Sequence, residues 1–105
     1  MAVTFSVADY PHELNLCKAN HDHLMEALDV SSLGMEANLE RGWIIIPPGK
    51  LLDAVDRVRR GLDAHPTEFE KEGIDARQMR TYLNTLERLA KAARERRCPV
   101  EVELM

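Results

Sequence analysis

The sequence predicts an α+β protein in which a small antiparallel sheet, an N-terminal hairpin plus a C-terminal strand, packs with three helices in the order β-β-α-α-α-β. Two observations carry this. Apolar residues alternate with polar ones near both ends of the chain, Val3, Phe5 and Val7 at the start and Val100, Val102 and Leu104 at the finish, which is the period of a strand with one buried face. Between them, apolar residues recur at helical spacing in three separate runs. At 105 residues, with 45% hydrophobic and 30% charged side chains, the chain falls in the range of a single globular domain, 1–105, with one core.

The first strand covers Val3, Phe5 and Val7. Asp9-Tyr10-Pro11-His12 supplies turn chemistry, because proline fixes its own φ and restricts the residue before it. Leu14 and Leu16 resume the alternation and complete a hairpin. A helix follows from about Lys18 to Leu28, with Asn20, Leu24, Ala27 and Leu28 at helical spacing. Ser31 to Asn38 reads as a connection with room for one helical turn. Trp43-Ile44-Ile45-Ile46, bounded by Gly42 and by Pro47-Pro48, reads as an extended insert or short strand.

Proline is tolerated in a first helical turn, so Leu51, Leu52, Val55, Val58 and Leu62 place a second helix from near Pro48 to near Gly61. An acidic connection over 63–74 follows, with a turn of helix expected around Glu68 to Lys71. Asp75 with Gln78 three residues later has the form of a capping box that starts the third helix. Its apolar stripe is Met79, Leu83, Leu86, Ala90 and Ala93, widened by Tyr82 and Leu89, and its arginine-rich last turn suits the negative end of the helix dipole. Cys98-Pro99 closes it before the final strand, which has an apolar face and an acidic one carrying Glu101 and Glu103.

The charge is unevenly spread. The net charge is −4, yet Arg77 to Arg97 holds seven bases against two acids, a local +5, and the remainder holds seven bases against sixteen acids, or −9. Such a distribution can steer an acidic partner to one face or join two copies head to face; its structural alternative is a solvated helix surface. The acidic total, with no turn-helix motif and Tyr82 as the aromatic of the third helix, argues against a dedicated nucleic-acid binder. The N-terminus lacks the form of a secretory signal, and the aliphatic run Ile44 to Ile46 is far too short to cross a bilayer. Two cysteines make no disulfide framework, so the expectation is a cytoplasmic protein with free thiols, no membrane contact and no cofactor.

Three groups of residues have chemical potential. His12, Cys17 and His21 form the first: residues 17 and 21 are four apart, which on a continuous helix would give two ligands of one soft or borderline metal with His12 as a third across the turn. The same thiol near a helix start, with His21 or His12 as base, has the elements of a nucleophile. No oxyanion loop or orienting group for the imidazole accompanies it, and exposed histidines beside a helix start are the plainer reading. Asn15 and Asn20, set beside aliphatic residues, read as polar bracing of a strand-to-helix junction. The second group is Arg80, Arg88, Lys91 and Arg94 on the third helix, a basic surface for a partner. The third is Trp43 with Ile45, an apolar anchor for a partner or a second copy, or else a buried lead-in to the second helix.

The run Asn15-Leu16-Cys17-Lys18-Ala19-Asn20, with Leu24-Met25 and Leu28, resembles short uncharacterised proteins of bacteria and their phages or prophages, in which an N-L-x-x-A-N start leads into a leucine-rich helix. Pro47-Pro48-x-x-Leu51-Leu52, Tyr82-Leu83 to Leu89-Ala90 and the Val100 to Glu103 strand are compatible with that layout. The resemblance implies a class of organism and carries no activity, cofactor or site. Cys17, where a serine-like cap would be expected, departs from it.

With no catalytic constellation and with segregated charge, the sequence points to a non-enzymatic binding module whose partner is another protein or a second copy. A metal- or thiol-dependent site at Cys17 and His21, and nucleic-acid contact through the third helix, are the alternatives.

Overall fold

The computed structural model describes residues 2–38, 43–64 and 76–104. Strands β1 (Ala2–Ser6) and β2 (Leu14–Cys17) precede helix α1 (Lys18–Leu28) and a 3-10 turn (Val30–Ser32). Strands β3 (Glu36–Asn38) and β4 (Trp43–Ile46) then lead to helices α2 (Pro48–Ala64) and α3 (Ala76–Arg96) and strand β5 (Val100–Leu104). The α+β class and the order of hairpin, three helices and C-terminal strand are as the sequence predicts.

The sheet is larger than the expected three strands. Its order is β2-β1-β5-β4-β3, and every pairing is antiparallel. The apolar insert of 43–46 is β4, which pairs with the C-terminal strand, and part of the segment read as a connection is β3. Glu36-Ala37-Asn38 has little strand propensity of its own; it becomes a strand by pairing with β4, a tertiary effect that overrides local preference. Likewise α2 runs past Gly61 to Ala64. Glycine costs a helix roughly 1 kcal/mol relative to alanine, but Leu62 one residue on is fully buried and holds the last turn against the core. The first two residues of the expected acidic connection, Asp63 and Ala64, belong to α2; the rest of it, its expected helical turn and the capping carboxylate of Asp75 lie outside the described residues.

Register divides the sheet into two unlike faces. Leu14, Phe5, Val102 and Ile44 lie in one row across β2, β1, β5 and β4. Val3 with Leu16 and Val100 with Ile46 flank that row. All of these are buried except Ile44, which is half-buried. Against this face pack Leu24, Met25 and Leu28 of α1, Leu51, Val55, Val58 and Leu62 of α2, and the whole predicted stripe of α3, including Leu89. The opposite face carries Thr4, Ser6, Asn15, Cys17, Ile45, Glu36, Glu101 and Glu103 and is open except at Thr4, which is buried.

Polar contacts tie the helices to one another. Arg59 forms an ion pair with Glu87 at 2.5 Å and donates to the Asn84 side chain at 2.6 Å, and Arg80 pairs with Asp63 at 2.7 Å, so α2 and α3 are stapled along one edge. The Asn20 amide donates to the Tyr82 hydroxyl at 3.1 Å, where Gln78 also donates at 2.9 Å. This is the bracing expected of Asn20, directed at α3. Asn15 accepts from the Thr4 hydroxyl across the β1–β2 pair. Arg57 reaches from α2 to the Leu28 carbonyl and to Ser32 Oγ, closing the free C-terminal end of α1.

Helix α3 ends in a Schellman arrangement, with the Cys98 N–H donating to the Ala93 carbonyl at 3.0 Å and the Arg97 N–H to the Arg94 carbonyl at 3.2 Å. The left-handed residue of this motif is Arg97, at φ 56°, not the usual glycine. A side chain in that region costs about 1–2 kcal/mol, while glycine gives back about 0.4–1 kcal/mol through the unfolded chain. Arg97→Gly is therefore expected to raise unfolding free energy by roughly 0.5–1 kcal/mol, read from urea melts. Phe5→Ala, by contrast, empties the centre of the covered face and should lower stability by about 3–5 kcal/mol in the same assay.

Candidate functional site

On its outward side, the C-terminal half of α3 carries Arg88, Ala92 and Arg96 at intervals of four, with Lys91 and Glu95 beside them. Ala92 is buried, and its small side chain leaves a notch between two long ones. The β1–β2 turn closes the notch from the other side. That turn is fixed by Asp9 in the left-handed region, at φ 61°, and by the Tyr10 N–H donating to the Val7 carbonyl at 3.2 Å. The resulting cleft has a volume of about 320 Å³ and is lined by Tyr10, Arg88, Lys91, Ala92, Glu95 and Arg96.

The Arg96 guanidinium carbon lies 5.1 Å from the Tyr10 ring centroid, within range of a cation–π contact. His12 meets the same ring edge-on at 5.3 Å. Tyr10 thus fixes one wall, and Arg96, which also donates to the Ala92 carbonyl at 3.4 Å, is held against it. Lys91 is paired with Glu87 at 3.0 Å. Arg88 forms no ion pair among the described residues, so its charge is available to whatever enters. One acid, Glu95, lines the cleft beside three cations, all four on α3.

The basic set read from the sequence is divided by the structure. Arg88 and Lys91 line the cleft; Arg80 lies on the α2 seam in its pair with Asp63; Arg94 is exposed and does not line it. Tyr10 and Arg96 were not among the candidate residues. The interval of four that joins Arg88, Ala92 and Arg96 is visible in the sequence and signals a notch, but which segment lies against it is not. Ile45 is half-buried on the open face of the sheet, in register with Glu101 and Glu36. Trp43 contributes its backbone to β4, and its side chain lies outside the described residues.

His12, Cys17 and His21 are not brought together. Spacing of four places two side chains on one face only when both are helical, and Cys17 is the N-cap of α1, with extended backbone at φ −68° and ψ 159°. It follows the alternation of β2 and is exposed on the open side of the sheet, with no side-chain cap hydrogen bond. His21 turns the other way, its ring 6.0 Å from Phe5 and its Nδ1 3.2 Å from an Asp22 oxygen. His12 stays with Tyr10. Among the described residues no group of three or more His, Cys, Asp or Glu side chains is placed to hold a metal ion. Cys17 and Cys98 are both free thiols.

Two carboxylates depart from their ordinary titration. Hydrogen bonds from Lys91, then from Arg59, hold Glu87 below the usual glutamate value of 4.5. Hydrogen bonds from Lys18 and from His21 lower Asp22 on the exposed side of α1. Glu87 therefore links the α2–α3 seam to the cleft, because it anchors Lys91 from one side.

No protein-family model, no curated protein and no solved structure matches the chain. Among the described residues, no helix is long and apolar enough to cross a membrane.

A carboxylate whose folded-state pKa is depressed stabilises the fold above its unfolded value, and that contribution is lost as pH falls through the folded value. Glu87→Gln is accordingly expected to cost roughly 0.5–1 kcal/mol near neutral pH, the range of a partly exposed ion-pair network. The gap from the wild type should close as pH is lowered below 4.5, which parallel urea melts across the acid range would check.

Proposed function

We propose that this chain is a small, non-enzymatic binding module that takes an acidic segment of a protein partner in the cleft between α3 and the β1–β2 turn. One observation carries the reading: Arg88, with no ion pair among the described residues, stands beside a notch floored by Ala92, between a fixed Tyr10–Arg96 wall and an anchored Lys91. Arginine and tyrosine are the residue types that dominate binding energy at protein interfaces, since each offers a large contact area with a directional polar end. The local excess of positive charge on α3 would speed encounter with an acidic partner and turn like-charged ones away.

An acidic protein segment suits the site better than a nucleic acid. One face of the aromatic ring at the cleft is already taken by Arg96, which leaves less of it for a base to stack on. The strands carry Glu36, Glu101 and Glu103 and no lysine or arginine, so a polyanion long enough to pass the helix layer meets repulsion. The divergence of Cys17 and His21 gives no support to the thiol-dependent alternative. Free thiols favour the cytoplasm as the site of action, and the N-L-x-x-A-N start is the ground for a bacterial or phage origin.

The test is titration with a fluorescent glutamate-rich peptide. Binding should weaken as salt shortens the screening length, and Arg88→Glu should reduce affinity about tenfold or more, equivalent to about 1.4 kcal/mol. Arg60→Glu on α2, which changes net charge equally but is remote from the cleft lining, should leave it within about twofold. Equal loss in both variants, or tighter binding of duplex DNA than of the peptide, would sink the reading.

A further inference from the structure

The two layers of this protein carry charge of opposite sign on opposite sides. Helix α3 has six bases and two acids between Ala76 and Arg96. The five strands contain Glu36, Glu101 and Glu103 and not one lysine or arginine. All three glutamates fall on the open face by register, since Glu101 pairs with Ser6 and Ile45, Glu103 with Thr4, and Glu36 with Ile45. Glu101 and Glu103 sit on β5, the central strand, two residues apart on one face, where like charges repel. Both are only partly exposed, and among the described residues neither has an ion pair. The ion pairs described, by contrast, all lie within the helix layer.

From this we infer that the open sheet face is a docking surface for a second copy of the chain, whose basic α3 ridge around Arg88 and Lys91 seats on Glu101 and Glu103. The inference rests on the binding reading of the cleft and names its partner. Symmetric pairings are disfavoured by the same charges: sheet against sheet brings glutamate to glutamate, and α3 against α3 brings arginine to arginine. The pairing of copies that these charges favour is sheet face to ridge. Because the two surfaces are different parts of one molecule, this contact is heterologous, and each copy that joins leaves one ridge and one face free for the next. The half-buried side chains of Ile45 and Ser6 supply the flat, partly apolar floor beside the carboxylates. Five strands spaced about 4.8 Å apart, three to five residues long, give a patch of roughly 20 by 15 Å. That is well under the ~800 Å² per partner of a stable complex, so the association is weak, reversible and governed by salt.

Sedimentation equilibrium of the full chain tests it. At about 0.01 M salt, where charges act over ~30 Å, the average mass should rise with protein concentration toward ~1 mM, and at about 1 M salt, where they act over ~3 Å, it should return to that of the monomer. The double variants Glu101→Lys/Glu103→Lys and Arg88→Glu/Lys91→Glu should each remain monomeric at low salt, folded by circular dichroism. Mixed in equal amounts they should associate, because each supplies the charge the other has lost. A wild type that stays monomeric at low salt, or either double variant that still associates alone, overturns the inference. Peptide binding by a strictly monomeric wild type would leave the cleft reading standing while removing this one; loss of both would remove both.

Discussion

Everything in this structure depends on a sheet that is apolar on one face only. The row Leu14–Phe5–Val102–Ile44 crosses four strands, and a slip of one residue in β1, β2 or β5 would turn its apolar side chains into water and its polar ones into the core. A sheet of that kind must be covered once, by enough helix to hide its apolar face. Helix α1 covers the hairpin side, while α2 and α3, packed against each other, complete the layer. At roughly 25 cal/mol per Å² of apolar surface removed from water, this burial outweighs any single polar contact in the molecule.

The same constraint sorts the charges. Helices that bury one stripe must carry their ionisable residues on the remaining surface, where neighbours at i and i+4 or across a helix pair are close enough to compensate one another. Lys18 with Asp22, Arg60 with Asp56, and Arg59 and Lys91 with Glu87 are instances. Strands offer no such partners here, because none of the five contains a base. Charge segregation in the folded protein is thus a consequence of which element each residue occupies, and the cleft is where the helix layer's surplus of positive charge meets a turn from the sheet.

The helices were the most legible part of the fold. Their stripes are long, and Met79, Leu83, Leu86, Leu89, Ala90 and Ala93 of the α3 stripe are all buried, joined by Ala92. The hairpin and the final strand were legible by alternation. Three-residue β3 was not, since its residues have no preference for the extended state and only the presence of β4 makes one. At the candidate site Arg88 and Lys91 were legible as part of a basic helix, whereas their separation from Arg80 and Arg94 required knowing where α2 packs. The Cys17–His21 pair shows the limit of spacing rules: the interval holds within a helix, and here it straddles the junction at which a strand becomes one.

By itself, then, the sequence determined the periodicities: which of the longer segments are helix or strand, which side of each is apolar, and that positive charge gathers along α3. These are local properties, set by steric preference and by the repeat of each backbone form. The tertiary structure decided what lies next to what. It placed the Tyr10 turn against the Arg88–Ala92–Arg96 notch, turned Cys17 and His21 to opposite faces of the sheet, and set the acidic strands behind the basic helix. The physical reason is that such contacts are chosen by covering one apolar sheet face as a whole, a condition that no single segment of the chain contains.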